Sequence, residues 1–407
     1  MKRLFFAIVA LCFGASASMA QVIQTPVKWK TSISLYDRTV PRTEIILPQV
    51  KGYNIYKGDF HVHTIYSDGD VTPRERMREA WFDGLDIIAI TDHLEKRTYE
   101  KYMLRALAAY NPDGRPFTYA HAGAGNPKDK EYPMMCNFND CYDEAKWYTK
   151  KEDIPVLVVP GTEIWRDPKT TGEYNAIFLE DINAIMHPDL FECFRRVKEQ
   201  GGIIIHNHPG WSRQTMEKSE DQVRAYGEGW VNGVEVVNAT SLYPQMIDRC
   251  VNEKLAIFAN TDIHRPSSQV WARDCGIFRT MTFIMAKECT VEAIKDAILK
   301  RRTIGYSANN LVGEEMWLKE FIDAAIDCKL VLTNEKAGYR VFQLTNTCSI
   351  PFRLRCHNTV ITLKPFQSLR ITKELNKKTG KYYDPQFIVE NMWTVGDKHP
   401  NFKLKID

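Results

Sequence analysis

Two short stretches constrain this chain more than any other part of it. They are Asp59-Phe60-His61-Val62-His63-Thr64-Ile65-Tyr66-Ser67-Asp68-Gly69 and Ile87-Ile88-Ala89-Ile90-Thr91-Asp92-His93. Residues two apart on a strand share a face, so His61 and His63 converge. The Ser67-Asp68-Gly69 turn lets Asp68 fold back toward them. The apolar run Leu85 to Ile90 reads as a buried strand that delivers Asp92 and His93 at its end. Three imidazoles and a carboxylate crowded onto two strand ends demand a fold in which strand termini meet. The donor types are those of a metal site.

From about residue 52 to 308 the pattern is strand, loop, helix, repeated. Pro73 opens a helix over Arg74 to Asp83, with Gly84 before the strand Leu85 to Thr91. Asn139 to Lys151 is helical in pattern and leads to a strand at Pro155 to Pro160. Asn175 to Leu179 is a short apolar run. Pro188 to Gln200 is a helix closed by Gly201-Gly202, and Ile203 to Ile205 is a buried strand. Val231 to Asn238, Leu255 to Asn260 and Ile277 to Met285 give further strands, with helices at Pro244 to Asn252 and Thr290 to Lys300. Strands alternating with helices imply a mostly parallel sheet, open or closed. Polar residues follow the strands: His93, then Glu163, then His208, then Asp262 and His264. Side chains gathered at the C-terminal ends of several strands are how a barrel builds a site, so the expected fold is an α/β barrel.

The flanking regions have a different texture. Met1-Lys2-Arg3 is basic, Leu4 to Gly14 is apolar and Ser18-Met19-Ala20 is small, the pattern of a signal peptide cleaved after Ala20. The apolar stretch is too short to span a membrane comfortably, and no later one is long enough. Residues 1–20 are therefore read as a signal, 21–51 as an extended leader rich in Pro26, Pro41 and Pro48, and 52–324 as the barrel. Residues 325–407, with short β-branched runs such as Tyr339 to Thr345 and Phe352 to Cys356, are read as a small antiparallel β domain, sandwich-like. The expected setting is an exported, periplasmic one. A net charge of +3 from 54 basic and 51 acidic residues leaves no basic track for nucleic acid. Ten cysteines less Cys12 leave nine, an odd and scattered set. They read as small buried hydrophobes, with Cys136–Cys141 and Cys348–Cys356 as optional bridges.

In chain order the motifs are His61-Val62-His63, Ser67-Asp68-Gly69, Thr91-Asp92-His93, Gly161-Thr162-Glu163, His208-Pro209-Gly210 and Asp262-Ile263-His264. This series resembles the polymerase and histidinol phosphatase (PHP) family. Asn175-Ala176-Ile177-Phe178-Leu179 and Asn207-His208-Pro209-Gly210-Trp211 are similar to its exported phosphodiesterase branch of the Sb-PDE type. The resemblance implies a distorted (β/α)7 barrel holding two or three divalent ions, Mn, Fe or Zn. Its ligands would be His61, His63, Asp68, His93, Glu163, His208, Asp262 and His264. Where that branch carries another histidine this chain has Glu173, either a substitute ligand or the mark of a lost one. The implied activity is hydrolysis of a small phosphate ester, a diester ahead of a monoester, by in-line attack of a metal-bridging hydroxide.

Several residues extend that reading. Arg166, three positions after Glu163, and Arg265, beside His264, are candidates for the substrate phosphate or for pairing with a ligating carboxylate. His206 shares a strand face with His208. It would reach the metals, orient a leaving group or hydrogen-bond in the core. Trp165, Trp211 and Tyr66 are candidate walls of an apolar pocket. Asp59 is a candidate for orienting a histidine ring, and Asp92 for the fold of its turn. A family exonuclease and a non-catalytic barrel are the alternatives. No membrane or nucleic-acid partner is expected.

Overall fold

The computed structural model describes residues 42–96, 137–271 and 276–406. The expected signal segment, most of the expected leader and Cys136 lie outside the described residues. The core of the molecule is one curled sheet. Its strands are β1 (Asn54–Asp59), β2 (Ile87–Ile90), β3 (Leu157–Ile164), β4 (Tyr174–Ile177), β5 (Ile203–His206), β6 (Gly233–Asn238), β7 (Ser241–Leu242), β8 (Ala256–Asn260), β9 (Met281–Ala286), β10 (Thr303–Ser307) and β11 (Asn310–Val312). Strands β1 to β6 lie side by side in chain order, and β8 joins the far side of β6 in parallel. Beyond β8 the chain returns to the exit of β1. Asp262 N donates to His61 O (2.9 Å) and His63 N to Ile263 O (3.1 Å). These bonds bring the first and last ligand-bearing segments together.

The sheet is mixed rather than uniformly parallel. β4 runs antiparallel to both β3 and β5, and β9 antiparallel to β1 and β10. The physical reason at β4 is its connection: residues 165–173 contain no helix, and a parallel return needs a crossover of a dozen or more residues. The expected (β/α)7 barrel is thus seen in coarse form, as a curled α/β sheet.

Helices cover the outside: α1 (Pro73–Phe82), α2 (Asp140–Lys151), α3 (Leu190–Glu199), α4 (Glu220–Gly227), α5 (Pro244–Glu253), α6 (Ser267–Val270), α7 (Val291–Leu299) and α8 (Glu315–Ala325). Their starts follow local chemistry. Thr72 accepts from Glu75 N with Pro73 in the first turn, and Asp189 accepts from Glu192 N. α4 is closed by a reciprocal Ser219–Gln222 capping box, a signal that the sequence reading passed over, as it did α8.

The C-terminal strands form two four-stranded antiparallel sheets. One holds β12 (Ile326–Asn334), β13 (Tyr339–Asn346), β16 (Ser368–Asn376) and β17 (Lys381–Tyr382). The other holds β14 (Phe352–Cys356), β15 (Thr359–Leu363), β18 (Gln386–Val389) and β20 (Asn401–Lys403). β19 (Met392–Trp393) leaves them to pair with β11 on the main sheet. Residues 42–50 strap the two parts: Arg42 binds Asp86 at 2.8 Å, while Ile46 and Ser349 exchange hydrogen bonds. Cys348 and Cys356 are free thiols, so the optional bridge between them is not made. Among the described residues no helix is long and apolar enough to cross a membrane.

Candidate metal centre

Each sequence-marked ligand leaves the C-terminal end of a strand or the turn just past it. His61 and His63 follow β1, His93 follows β2, Glu163 is near the end of β3, His208 follows β5, and Asp262 and His264 follow β8. His61 Nε2 and His63 Nε2 lie 3.1 Å apart, and Asp262 Oδ1 sits 3.3 Å from the first and 3.1 Å from the second. Glu163 spans several imidazoles. Its Oε1 is 3.4 Å from His61 Nε2 and 3.5 Å from His208 Nε2, and its Oε2 is 3.4 Å from His63 Nε2 and 2.9 Å from His93 Nδ1. Asp68 does turn back, reaching His264 Nε2 at 3.2 Å and His93 Nε2 at 3.4 Å. Three overlapping groups have donor atoms within 4.8 Å of one another: His63, Asp68, His93 and His264; His61, His63 and Asp262; His61, Glu163 and His208. Glu173 is brought in as well, with Oε2 at 3.4 Å from His208 Nε2.

The electrostatics fit a cation. Burial alone would strip protons from these imidazoles. It does so at His63, which falls to about 4 through burial and the neighbouring His264. At His93 and His208 burial pulls the same way, yet Glu163 with Asp68, and Glu163 with Asp262, raise them to about 10 and about 9. His61 also ends well above its ordinary value, because Asp262, Glu235 and Glu163 outweigh burial. Burial pushes Glu163 and Asp262 upward, but the histidines win and hold both carboxyls low. Burial and the Glu163 charge drive Glu173 up to about 7. A pocket so rich in carboxylate keeps positive charge on bases that prefer to be neutral in the dark of the core. Divalent cations would replace those protons while using neutral imidazoles as ligands.

Residues that the sequence reading missed hold this arrangement in place. Glu235, on β6, accepts His61 Nδ1 at 2.7 Å and also binds His208 N and the Asn260 amide. It fixes which nitrogen of His61 faces the centre. A lone carboxylate inside the apolar run Val234-Glu235-Val236-Val237 was the available signal. Arg76, on α1, is fully buried and donates to the carbonyls of His63, Ile263, His264 and Arg265. One guanidinium therefore clamps both ends of the ligand circle. Asp92 accepts from Thr64 N, Thr64 Oγ1 and Ser67 Oγ, which shapes the turn carrying Asp68. Lys96 Nζ lies 2.7 Å from Asp68 Oδ2 and is partly exposed.

Asp59, His206 and Arg166 are engaged otherwise than as orienting, catalytic or phosphate-binding groups, while Arg265, Trp211 and Tyr66 are simply placed by the structure. Asp59 orients no histidine ring; its carboxylate takes Thr261 and the buried Arg279, which also pairs with Asp83. His206 takes the core role among its expected alternatives and is in none of the candidate ligand groups: Nδ1 meets Tyr226 OH at 2.6 Å, Nε2 faces the Gln222 amide, and the ring stacks on Tyr174. The β4 strand beside it, carrying Tyr174, supplies that aromatic wall. Arg166 is held by Glu95 and by the carbonyls of Trp165 and His187. Arg265 is exposed, and its carbonyl rather than its side chain serves the Arg76 clamp. Trp211 is exposed and packs edge to face on His208, with ring centroids 6.5 Å apart. Tyr66 is buried and hydrogen-bonds Glu144.

Comparison with known proteins agrees with this geometry. The PHP domain family matches residues 59–228. A crystal structure from Bacteroides vulgatus superposes with a TM-score of 0.76 and 30% identity, covering 89% of this chain and 98% of that one. It is described as a two-domain protein containing a predicted PHP-like metal-dependent phosphoesterase. An uncharacterized protein of Methanocaldococcus jannaschii is 25% identical over 140 residues, 33% of this chain. The chain spans 59% of that relative's length. The chain belongs to the PHP domain family.

Proposed function

We propose that this chain is an exported, metal-dependent phosphoesterase that acts on small phosphate diesters ahead of monoesters. The observation that carries the reading is the convergence of His61, His63, Asp68, His93, Glu163, His208, Asp262 and His264 at one end of the sheet. Divalent ions held there would neutralise phosphoryl oxygens and lower the pKa of water to near neutrality. The protein's own part is to hold and orient. Glu163 and Asp262 offer paired oxygens to adjacent imidazoles, Glu235 and Arg76 fix the ring and loop positions, and Lys96 presents an ammonium beside Asp68. Glu173 lies close enough to His208 to serve as a further ligand. The description of the Bacteroides vulgatus protein supports the ester class. The branch likeness read from the Asn175 and Asn207 blocks supports diesters, and the basic and apolar N-terminal segment supports export to the periplasm.

The test is turnover of bis(p-nitrophenyl) phosphate and p-nitrophenyl phosphate by protein loaded with Mn, Fe or Zn. The expected result is metal-dependent release of nitrophenol, faster from the diester. A metal-loaded protein that leaves both esters intact would make this a binding barrel instead.

A further inference from the structure

Just past the ends of β2 and β3 lies a cavity of about 680 Å³, walled by Glu95, Trp165, Arg166, Pro168, Met186 and Pro188. Its position is tied to the candidate metal centre by backbone pairing. His93 and Glu163 form a parallel bridge, and Leu94 N donates to Glu163 O at 2.8 Å. Glu95 and Trp165 each stand two residues beyond that pair, so each follows one candidate ligand on a neighbouring chain segment. Two residues of extended chain span roughly 7 Å, within reach of a group one ester bond from phosphorus.

Glu95 and Arg166 in this wall are paired with each other, and the exposed Asp167 carboxylate, which accepts from Lys169 N (2.9 Å), adds a negative charge to it. The Glu95 carboxylate accepts from Trp165 N (2.9 Å) and from Arg166, whose guanidinium also gives to His187 O (2.8 Å). What remains for a ligand is mainly the Trp165 ring, the Met186 thioether chain and two prolines, together with the His187 ring, whose Nδ1 accepts from Asp189 N (3.1 Å). Such walls do not attract a bare anion; they favour a flat apolar group. Trp165 is 40% exposed and Trp211 61%, the exposed tryptophans among the described residues. Both stand within three positions of a candidate ligand, Glu163 and His208. Trp211 already packs on His208, whereas the Trp165 indole offers a flat apolar face at the cavity wall on which a planar group can stack.

We infer that the Trp165 cavity takes an aromatic ester substituent of the substrate, so that the preferred substrates are aryl phosphate esters. This rests on the phosphoesterase reading, and binding and turnover are measured separately so that the two stand or fall apart. Diphenyl phosphate and dimethyl phosphate are titrated calorimetrically into Mn-loaded wild type, Trp165→Ala, Trp165→Phe and Met186→Ser. Bound metal is assayed in every sample. Expected is an aryl preference of at least about tenfold in wild type, or about 1.4 kcal/mol. Trp165→Ala should lose most of it, Met186→Ser part of it, and Trp165→Phe little, all with unchanged metal content. Met186→Ser keeps the test open if Trp165→Ala does not fold. Equal affinity of wild type for both esters would overturn the inference, and so would an aryl preference that survives Trp165→Ala or, where that variant does not fold, Met186→Ser. Turnover of the same esters reports on the phosphoesterase reading: an aryl preference without hydrolysis sinks that reading and leaves the cavity assignment standing.

Discussion

The strand-end centre and the C-terminal sheets obey opposite rules. At the centre, His61, His63, Glu163 and Glu235 are almost wholly buried, and the backbone of Asp262 takes φ +53° while His208 takes +23°. Buried ionisable groups and left-handed non-glycine backbone both cost stability. Left-handed residues also occur in turns of the C-terminal part, as at His357 and Phe366, so it is the buried charge that sets the centre apart. In the C-terminal sheets the inward positions are apolar, as with Phe342, Leu344 and Leu354, and the charges lie outside. Arg353 and Arg355 share Glu390 there, and Lys403 pairs with Asp384. One region spends stability on holding a geometry. The other buries an apolar inner face built by alternation, although Leu330, Val331 and Leu332 on β12 are exposed beside a register shift in that strand.

If that contrast is right, damage to the two regions should separate cleanly. The largest effect is expected from Glu163→Ala, which removes the carboxylate facing four imidazoles. Turnover should fall by about a thousandfold or more and metal content should drop, as read by steady-state kinetics and elemental analysis. Next comes Phe342→Ala in the C-terminal core. It should cost about 3 kcal/mol in denaturant unfolding yet leave metal affinity per folded molecule unchanged. A loss of affinity there would break the comparison. Glu235→Gln keeps the shape but weakens the orientation of His61, and should lower metal affinity by about 10- to 100-fold in a competition titration. Glu173→His restores the donor type usual at that place, so activity should hold or rise; a large loss would give the carboxylate a role of its own.

The smallest expected effect lies away from both regions. Burial, then the nearby Lys295 charge, lowers Lys198 to about 8. Its folded pKa is below its unfolded value. The penalty is therefore present in full below pH 8 and relaxes as pH rises through 8 to the unfolded value near 10.5. Lys198→Met should stabilise by roughly 1 kcal/mol at pH 7, discounted for the solvent still reaching the ammonium. The gain should fade by about pH 10.5, as read from unfolding midpoints across that range.

Much of the site was legible because metal ligands are polar residues at the ends of apolar runs. His93 after Ile87–Ile90 and Asp262 after Ala256–Asn260 break the pattern where a strand stops. The His61-Val62-His63 spacing states its own geometry. What stayed hidden depends on partners far away in sequence. Arg76 reads as a helix-surface residue until its carbonyl partners, nearly 190 residues on, are known. Arg166 sits one turn from Glu163 in sequence, but Glu95 captures it. His206 ends β5 two residues before His208, yet Tyr226 and Gln222 draw it toward the helical layer. Strand direction was equally hidden at β4: its apolar residues fit either orientation, and the short link from β3 decided it. In the C-terminal part, period-two alternation with turns between short runs made the strands visible, whereas β19 crossing to β11 had no local mark.

The most direct test is the number of divalent ions bound by purified protein at equilibrium, measured by dialysis and elemental analysis for wild type and His61→Ala. His61 belongs to two of the three overlapping donor groups. Wild type should hold more than one ion per chain, and His61→Ala should lose at least one. A wild-type protein that binds one ion or none, or a His61→Ala variant with an undiminished count, would contradict a shared polynuclear centre.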